Sequence, residues 1–161
     1  MGANLEDAGK SGLFGIDQAA DRIAAARAAA PGGTFVLNAR TDTYFAGAEG
    51  DVFAETVQRA VRYLEAGADC IFVPGVAEQD TIRRLAAAIP GPLNVVAGLA
   101  NTIDAPALFL LGVKRVSLGG SLARASLSML ERAGPELHNS GTLGFLDGAI
   151  GYADLQRRFG S

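Results

Sequence analysis

The sequence lacks the residues on which several large classes of protein depend. It has 161 residues, with one cysteine, one histidine and no tryptophan. A single thiol cannot form an intramolecular disulfide, and it cannot supply the ligands of a cysteine-rich zinc site. These absences exclude a disulfide-stabilised secreted domain and predict a reducing, cytoplasmic location. The one thiol, Cys70, opens a predicted buried strand, where we expect a small apolar role.

The chain also lacks a long apolar run and an excess of positive charge. Its 14 Lys and Arg residues are outnumbered by 17 Asp and Glu residues, which gives a formal net charge of −3. A membrane-spanning helix needs about 20 apolar residues, and binding to nucleic acid relies on a basic surface. The residues that follow Met1 have neither the basic flank nor the apolar core of an export signal. We therefore expect no membrane span and no nucleic-acid partner.

What the chain does contain is an alternation of short β-branched segments with amphipathic helical segments. Strands are predicted over residues 34–39, 70–73, 93–97 and 113–118, with a weaker one over 3–5. Helices are predicted over residues 17–30, 51–66, 78–89, 104–111, 121–133 and 152–159. Such an alternation is typical of parallel strands joined by right-handed crossovers. Both a doubly wound sheet and a (β/α)₈ barrel satisfy it.

The number of strand-helix units in the sequence is too small for a complete (β/α)₈ barrel. The pattern contains five units, whereas a complete barrel has eight and typically needs about 250 residues. A barrel built from this chain is therefore a partial one. Residues 141–161 mix glycines with apolar residues and end in a short helical segment, so we interpret them as a C-terminal arm that docks on its own core or on a neighbour.

Polar residues at the carboxyl ends of the predicted strands are the candidates for a site, because those ends carry the site loops in parallel α/β folds. Glu6 and Asp7 follow the first strand, and Arg40 and Asp42 follow the second. Adjacent residues of an extended chain point to opposite faces, so only one of Glu6 and Asp7 can enter a shared site. A carboxylate there could bind Mg²⁺, or it could serve as a helix cap or surface acid.

Arg40 is the most suggestive of these residues, because a planar guanidinium matches the geometry of a carboxylate or phosphonate. Asp42 lies two residues further on, and therefore on the same side of an extended chain. The two residues could form an ion pair that orients Arg40, or a purely structural pair. Asn94 lies within another predicted strand and could point into the same site.

The helix predicted over residues 51–66 has an apolar stripe that we expect to pack on the sheet. The stripe consists of Phe53, Val57, Ala60, Val61 and Leu64. Arg59, Arg62 and Glu65 fall on the other faces of this helix.

The segment FVLNARTD, residues 35–42, resembles a stretch of the isocitrate lyase and phosphoenolpyruvate mutase superfamily. This superfamily includes methylisocitrate lyases, oxaloacetate hydrolases and phosphonomutases. Further similar stretches occur in family order over nearly the whole chain, at residues 4–7, 63–69, 71–75, 92–98 and 111–118. The Ala-Arg-Thr-Asp element at residues 39–42 is the most specific of them.

The resemblance implies a (β/α)₈ barrel that uses Mg²⁺, of which this chain is the carboxyl-terminal half. Residues 1–140 would form the partial barrel domain, and residues 141–161 the C-terminal arm and helix. The implied activity is that of a lyase or phosphonomutase acting on a small anionic 2-oxo or 2-hydroxy acid through an enolate. Because the family's Mg²⁺-anchoring aspartates precede the matched region, we expect the chain alone to be weakly active or inactive.

The resemblance also implies roles for individual residues. Arg40 would be the catalytic residue that holds a substrate carboxylate or phosphonate, Asn94 would contact substrate, and Glu6 would approach Mg²⁺ chiefly through water. The family commonly exchanges its C-terminal helices between subunits, which implies a homo-oligomer. An incomplete barrel would favour self-association independently, because it exposes two sheet edges.

Two departures from the family pattern argue against isocitrate lyase activity proper. The lyases carry a Lys-Cys-Gly-His loop after the Glu-Asp pair, whereas residues 8–12 here are AGKSG, so that only Lys10 could substitute for the loop's acid or base. Gly75 stands where many lyases have a glutamate.

One alternative to an enzyme is a non-catalytic anion-binding or oligomerisation module derived from the family. Another is a smaller closed α/β sheet with an unrelated ligand, which pairing of the first strand far from Arg40 would favour.

Overall fold

The computed structural model describes residues 1–30, 33–46, 50–99 and 102–160. The chain consists of two compact units, Met1–Gly119 and Gly120–Ser161. The first unit is an α/β structure, and the second is helical.

Five parallel strands form the sheet of the first unit. They are β1 (Gly2–Glu6), β4 (Val36–Arg40), β5 (Cys70–Phe72), β6 (Leu93–Val96) and β7 (Arg115–Ser117), and they lie side by side in that order. A small antiparallel hairpin of β2 (Ala8–Gly9) and β3 (Gly12–Leu13) follows β1. The weakly predicted first strand is therefore present. It pairs directly with β4, with Glu6 opposite Arg40, so the condition that would favour a sheet with an unrelated ligand is not met.

The strands alternate with helices as the periodicity predicts. The first unit contains α1 (Ile16–Ala29), α2 (Thr43–Ala46), α3 (Val52–Glu65), α4 (Gln79–Ala88) and α5 (Ala105–Leu110). The side chains of Asp51 and Asp104 each accept a hydrogen bond from the first turn of the helix that follows. After α3 the chain turns at Gly67, where φ is +104° and a Cβ would lie 2.8 Å from Cγ of Arg27, so only glycine fits.

The two faces of the sheet differ in chemistry. One face is apolar, and its strand residues pack with helix residues into one core: Ala39, Ile71, Val73, Leu93 and Val95 meet Ile23, Tyr63, Ile82, Leu85 and Leu108. Alternate strand positions point to the opposite side, which we call the polar face because polar side chains predominate on it. Its polar residues are Asn4, Glu6, Asn38, Arg40, Asn94, Arg115 and Ser117, and it also carries Val36, Cys70, Phe72 and Val96. A doubly wound sheet would bury apolar residues under helices on both faces. The polar face therefore favours an arc of a barrel.

The second unit begins with a long helix, α6 (Ser121–Ser140), which is followed by a 3₁₀ turn (Gly144–Leu146) and by α7 (Tyr152–Arg158). The predicted end of α6 at residue 133 is wrong. Pro135 lacks an N–H and removes one hydrogen bond of the helix, but the helix continues and ends only at Gly141, where φ is +64°. No helix in the described ranges combines the length and apolar character needed to cross a bilayer.

The carboxylate of Glu136 joins α6 to the turn that follows it. It accepts hydrogen bonds from the Thr142 hydroxyl at 2.8 Å and from the backbone N–H groups of Gly144 and Phe145 at 2.5 and 3.1 Å. The Thr142 bond and then the bond from Gly144 lower the pKa of Glu136, because they stabilise its charged form. The start of the arm is therefore held most firmly when Glu136 is ionised.

The buried thiol of Cys70 generates a prediction about stability. Burial raises the pKa of Cys70 from 9.0 to about 11. As the pH rises through this window, the unfolded thiol ionises before the folded one, so the free energy of unfolding falls. We expect urea unfolding to show a steeper loss of stability between these two pH values in the wild type than in Cys70→Ala. Below pH 9 the free energy of unfolding should depend on pH in the same way in both proteins. Equal slopes of the two proteins between pH 9 and 11 would contradict the raised pKa of Cys70.

Candidate functional site

The register of the sheet places the predicted site residues in one row. Glu6 pairs with Arg40, Arg40 with Phe72, Phe72 with Asn94, and Asn94 with Arg115. Partners in a parallel sheet point to the same side, so this row lies on the polar face. Glu6 and Arg40 are the last residues of their strands, and they therefore lie at the carboxyl edge of the sheet.

Arg40 is held on two sides by carboxylates. Its Nη1 donates to Oε1 of Glu6 at 2.9 Å, and its Nε donates to Oδ1 of Asp42 at 2.8 Å. Its Cζ lies 5.8 Å from the centroid of the Phe72 ring. The remaining nitrogen, Nη2, has no hydrogen-bond partner among the described residues, and the side chain is 25% exposed. Arg40 is thus an oriented cation with one edge open to a ligand.

The charge of this cluster sets a condition on anion binding. One guanidinium and two carboxylates give a formal local charge of −1. An anion that approaches the open edge of Arg40 therefore also meets two negative groups, and these oppose its binding unless a further cation is present. The arrangement is suited to an anionic ligand that binds together with a cation.

Glu6 has the chemistry and exposure to meet such a cation. Its side chain is half exposed, one of its oxygens is bound to Arg40, and the other has no partner in the described part of the chain. Mg²⁺ in proteins often keeps several waters and uses only one or two carboxylates, which a single accessible oxygen of Glu6 fits. The described residues contain no group of three or more potential metal ligands. Glu6 could therefore hold only part of a metal shell.

Asn94 lies in the same row, but it contacts neither Glu6 nor Arg40. It is fully buried, and its side-chain amide exchanges hydrogen bonds of 3.0 and 3.1 Å with the hydroxyl of Ser117. One strand, β5, separates it from Arg40, so their backbones are about 10 Å apart. The structure therefore brings Glu6 and Arg40 together, and it leaves Asn94 to reach the same ligand only from a distance.

The side chain of Asp7 lies on the helix side of the sheet, opposite to the polar face that carries Glu6 and Arg40. Its Oδ2 accepts from the Tyr63 hydroxyl at 2.7 Å and from Arg59 Nη1 at 3.2 Å, while its Oδ1 accepts from the Asp42 N–H at 2.9 Å. The adjacent acids Glu6 and Asp7 thus serve opposite faces, as extended geometry predicts. The burial of Tyr63 and the charge of Asp7 raise the pKa of Tyr63, so its hydroxyl remains a donor at neutral pH.

Arg59 corrects the expected packing of α3. The periodicity places it outside the stripe that faces the sheet, but it is only 5% exposed. Its guanidinium is fully surrounded by partners, which include Asp7, Glu55 and the carbonyl of Phe14. Sequence reasoning missed Arg59 and Tyr63 as members of this cluster. The signal that could have found them is the four-residue spacing of Glu55, Arg59 and Tyr63, which aligns them on one side of a helix.

The two departures from the lyase pattern have simple structural settings. Lys10 is exposed in the turn between β2 and β3. Gly75 has φ +85°, and a Cβ there would lie 3.0 Å from Cε1 of Phe45. A glutamate at position 75 would therefore strain the backbone and displace the Phe45 ring.

Comparison with known proteins identifies the family of the chain. The family model described as phosphoenolpyruvate phosphomutase matches residues 1–138. A protein of Mycobacterium tuberculosis without an assigned activity is 34% identical over 98% of the chain and 58% of its own length. A Corynebacterium glutamicum protein named probable 2-methylisocitrate lyase 1 is 32% identical over 90% of the chain and 54% of its own length. The chain thus spans between half and three fifths of these curated relatives.

Solved structures of lyases, mutases and hydrolases superpose on nearly the whole chain. A provisionally named lyase/mutase from Burkholderia cenocepacia J2315 superposes with a TM-score of 0.90 at 37% identity, over 99% of this chain and 59% of that one. A phosphonopyruvate hydrolase superposes with a TM-score of 0.79 at 28% identity, over 99% of this chain and 58% of that one.

The fold and the matches point to one assignment. The predicted α/β fold with a partial barrel is confirmed by the five-stranded parallel sheet and its close structural match over nearly the whole chain. The predicted superfamily is confirmed by the family model and by the lyase relative. The chain belongs to the phosphoenolpyruvate phosphomutase family of the isocitrate lyase and phosphoenolpyruvate mutase superfamily, whose members are lyases and phosphonomutases of small oxo acids.

Proposed function

We propose that this chain forms the anion-binding half of the barrel of a Mg²⁺-dependent lyase or phosphonomutase. Its substrate would be a small 2-oxo or 2-hydroxy acid, and the enzyme would act in the cytoplasm. The observation that carries the proposal is the guanidinium of Arg40, held between Glu6 and Asp42 with one edge that has no partner among the described residues. Because the chain spans little more than half of its curated relatives, we expect the chain alone to be weakly active or inactive.

The proposed chemistry uses Arg40 as a fixed cation. Cleavage of a C–C or P–C bond beside a carbonyl leaves negative charge on an enolate, which groups oriented in advance stabilise best. Glu6 and Asp42 hold the guanidinium plane, and Nη2 is free to bind the carboxylate or phosphonate end of the substrate. Mg²⁺ held at Glu6 through water would supply Lewis acidity when it is bound.

Asn94 would contact the same substrate at its other end. Its amide lies in the row of Arg40 and is already oriented by Ser117. Because strand β5 lies between Asn94 and Arg40, the two side chains can act on one substrate only if the ligand, a bound water or a metal spans the distance between them.

The competing proposal is a non-catalytic anion-binding or oligomerisation module. It is favoured by the hairpin of β2 and β3, where residues 8–12 offer no Cys or His and the exposed Lys10 is the only ionisable group. Such a module would bind an anion at Arg40 but would lack the acid or base that the lyases carry in the loop after the Glu-Asp pair. Binding without turnover by a full-length relative that carries the same hairpin would support the module.

The first test concerns anion binding at Arg40. We expect phosphonopyruvate and oxaloacetate to bind in calorimetric titrations only when Mg²⁺ is present, because the cluster alone carries net negative charge. Arg40→Lys should weaken binding about tenfold or more, since it loses the planar fork and the bond from Nε to Asp42. Arg83→Lys on α4, the same change at an exposed arginine paired only with Asp80 in the described residues, is the matched control. Unchanged affinity in Arg40→Lys would refute the proposed site.

We also propose that the protein is a homo-oligomer that exchanges its C-terminal helices. Large apolar side chains of the second unit are exposed: Leu122, Leu127, Leu130, Leu143, Tyr152 and Phe159. Exposed apolar surface of this extent is typical of association surfaces.

Sedimentation at increasing dilution tests the proposed association. We expect the wild type to remain associated, and we expect Tyr152→Glu with Phe159→Glu to shift the mass toward the monomer, because each places a charge in an apolar contact. Arg158→Gln on α7 changes the charge by the same step as one of these substitutions and should leave the mass unaltered. A wild type that stays monomeric at high concentration would contradict the proposal.

A further inference from the structure

A buried cluster on the helix side of the sheet is linked to the anion-binding arginine through one backbone amide. The cluster consists of Asp7, Arg59 and Tyr63, and we call it the buried triad. All three side chains are nearly inaccessible, with exposures of 2% for Asp7, 5% for Arg59 and 0% for Tyr63. They contact one another, since the Tyr63 hydroxyl and Arg59 Nη1 both donate to Oδ2 of Asp7 and lie 3.1 Å apart. The triad therefore leaves one carboxylate oxygen, Oδ1 of Asp7, for a further partner.

That further partner is the backbone of Asp42. The ladder between β4 and β5 ends at Thr41, whose N–H donates to the carbonyl of Phe72. The next N–H, that of Asp42, donates to Oδ1 of Asp7 at 2.9 Å. The carbonyl of Asp42 accepts from Phe45 and Ala46 in α2. The direction of the chain at Asp42 is thus set by Asp7 on one side and by a helix start on the other.

The same residue orients Arg40. Oδ1 of Asp42 accepts the bond from Nε of Arg40, and the Asp42 side chain is 8% exposed, so it has little freedom. A shift of the Asp42 backbone would move this oxygen and rotate the guanidinium plane, because a hydrogen bond to Nε is directional. Glu6, the other partner of Arg40, is half exposed and cannot impose the same constraint.

A purely structural role for the triad would not require this geometry. Arg59 already has Glu55 and the carbonyl of Phe14 as acceptors, and α3 also packs on the core through Ala60, Val57 and Leu64. Asp7 nevertheless lies in the interior, where a carboxylate is costly unless its partners are complete. Its partners are complete only because the Asp42 amide takes the second oxygen.

We propose that Arg59 and Tyr63 are positioning residues for Arg40, acting through Asp7 and the Asp42 amide. The proposal rests on the proposed function in that Arg40 is taken to bind the substrate anion. It extends that function to a buried cluster on the opposite face of the sheet from Arg40. The triad would set the angle at which Arg40 presents Nη2.

The test uses Tyr63→Phe, which keeps the ring and removes one donor to Asp7. We expect the Nε–H signal of Arg40, assigned by comparison with Arg40→Lys in ¹⁵N-NMR spectra, to shift and to exchange faster with solvent. We expect the Kd for phosphonopyruvate with Mg²⁺ to rise about three- to tenfold. This is less than the full value of one hydrogen bond to a charged group, because the lost bond acts on Arg40 only through Asp7 and the Asp42 amide. Ile82→Val in α4 is the control, because it destabilises the same core and leaves every hydrogen-bonding group of the triad in place.

The outcomes separate positioning from simple destabilisation. A changed Nε–H signal and weaker binding in Tyr63→Phe, with both unchanged in Ile82→Val, would support the proposal. Loss of thermal stability in Tyr63→Phe with the signal and the Kd of the wild type would overturn it. If the wild type binds no phosphonopyruvate, the proposed function fails. The Nε–H signal then still decides, because faster exchange in Tyr63→Phe supports positioning and unchanged exchange overturns it.

Discussion

The structure of this site depends on one interaction, the clamping of a single guanidinium between one nearly buried and one half-exposed carboxylate. Asp42 holds Nε of Arg40 from a nearly buried position, and Glu6 holds Nη1 from an accessible one. The pair fixes a cation that would otherwise sample many rotamers, and it leaves one edge without a partner in the part of the chain that the structure describes. Together with Arg40, the two carboxylates give a formal charge of −1, so an anion is expected to bind here together with a divalent cation.

The fold provides this clamp through strand register and through the difference between its two faces. Parallel pairing sets Glu6 opposite Arg40 at the carboxyl edge, while the apolar positions between them pack under the helices. The polar face is what an arc of barrel presents to its interior, and the span of the chain relative to its relatives agrees with an arc. A site on such an arc would be completed by groups that the arc itself does not contain.

Local pattern predicted most of the fold, because buried β-branched runs and helical periodicity are properties of neighbouring residues. It located the five strands, and the Ala-Arg-Thr-Asp element singled out Arg40 as the candidate anion-binding residue. It failed where distant partners decide the outcome. Arg59 is buried in contact with Asp7, fifty-two residues away, and no local periodicity reports that contact. The end of α6 was misplaced because Pro135 weakens a helix without always ending it.

A crystal structure of the chain grown with phosphonopyruvate and Mg²⁺ would test the proposed role of the Arg40 clamp without relying on turnover. We expect a phosphonate or carboxylate oxygen within hydrogen-bond distance of Nη2 of Arg40, with the bonds to Glu6 and Asp42 retained and the metal's water near Glu6. An anion bound elsewhere on the sheet, with the open edge of Arg40 left to solvent, would contradict the proposed role.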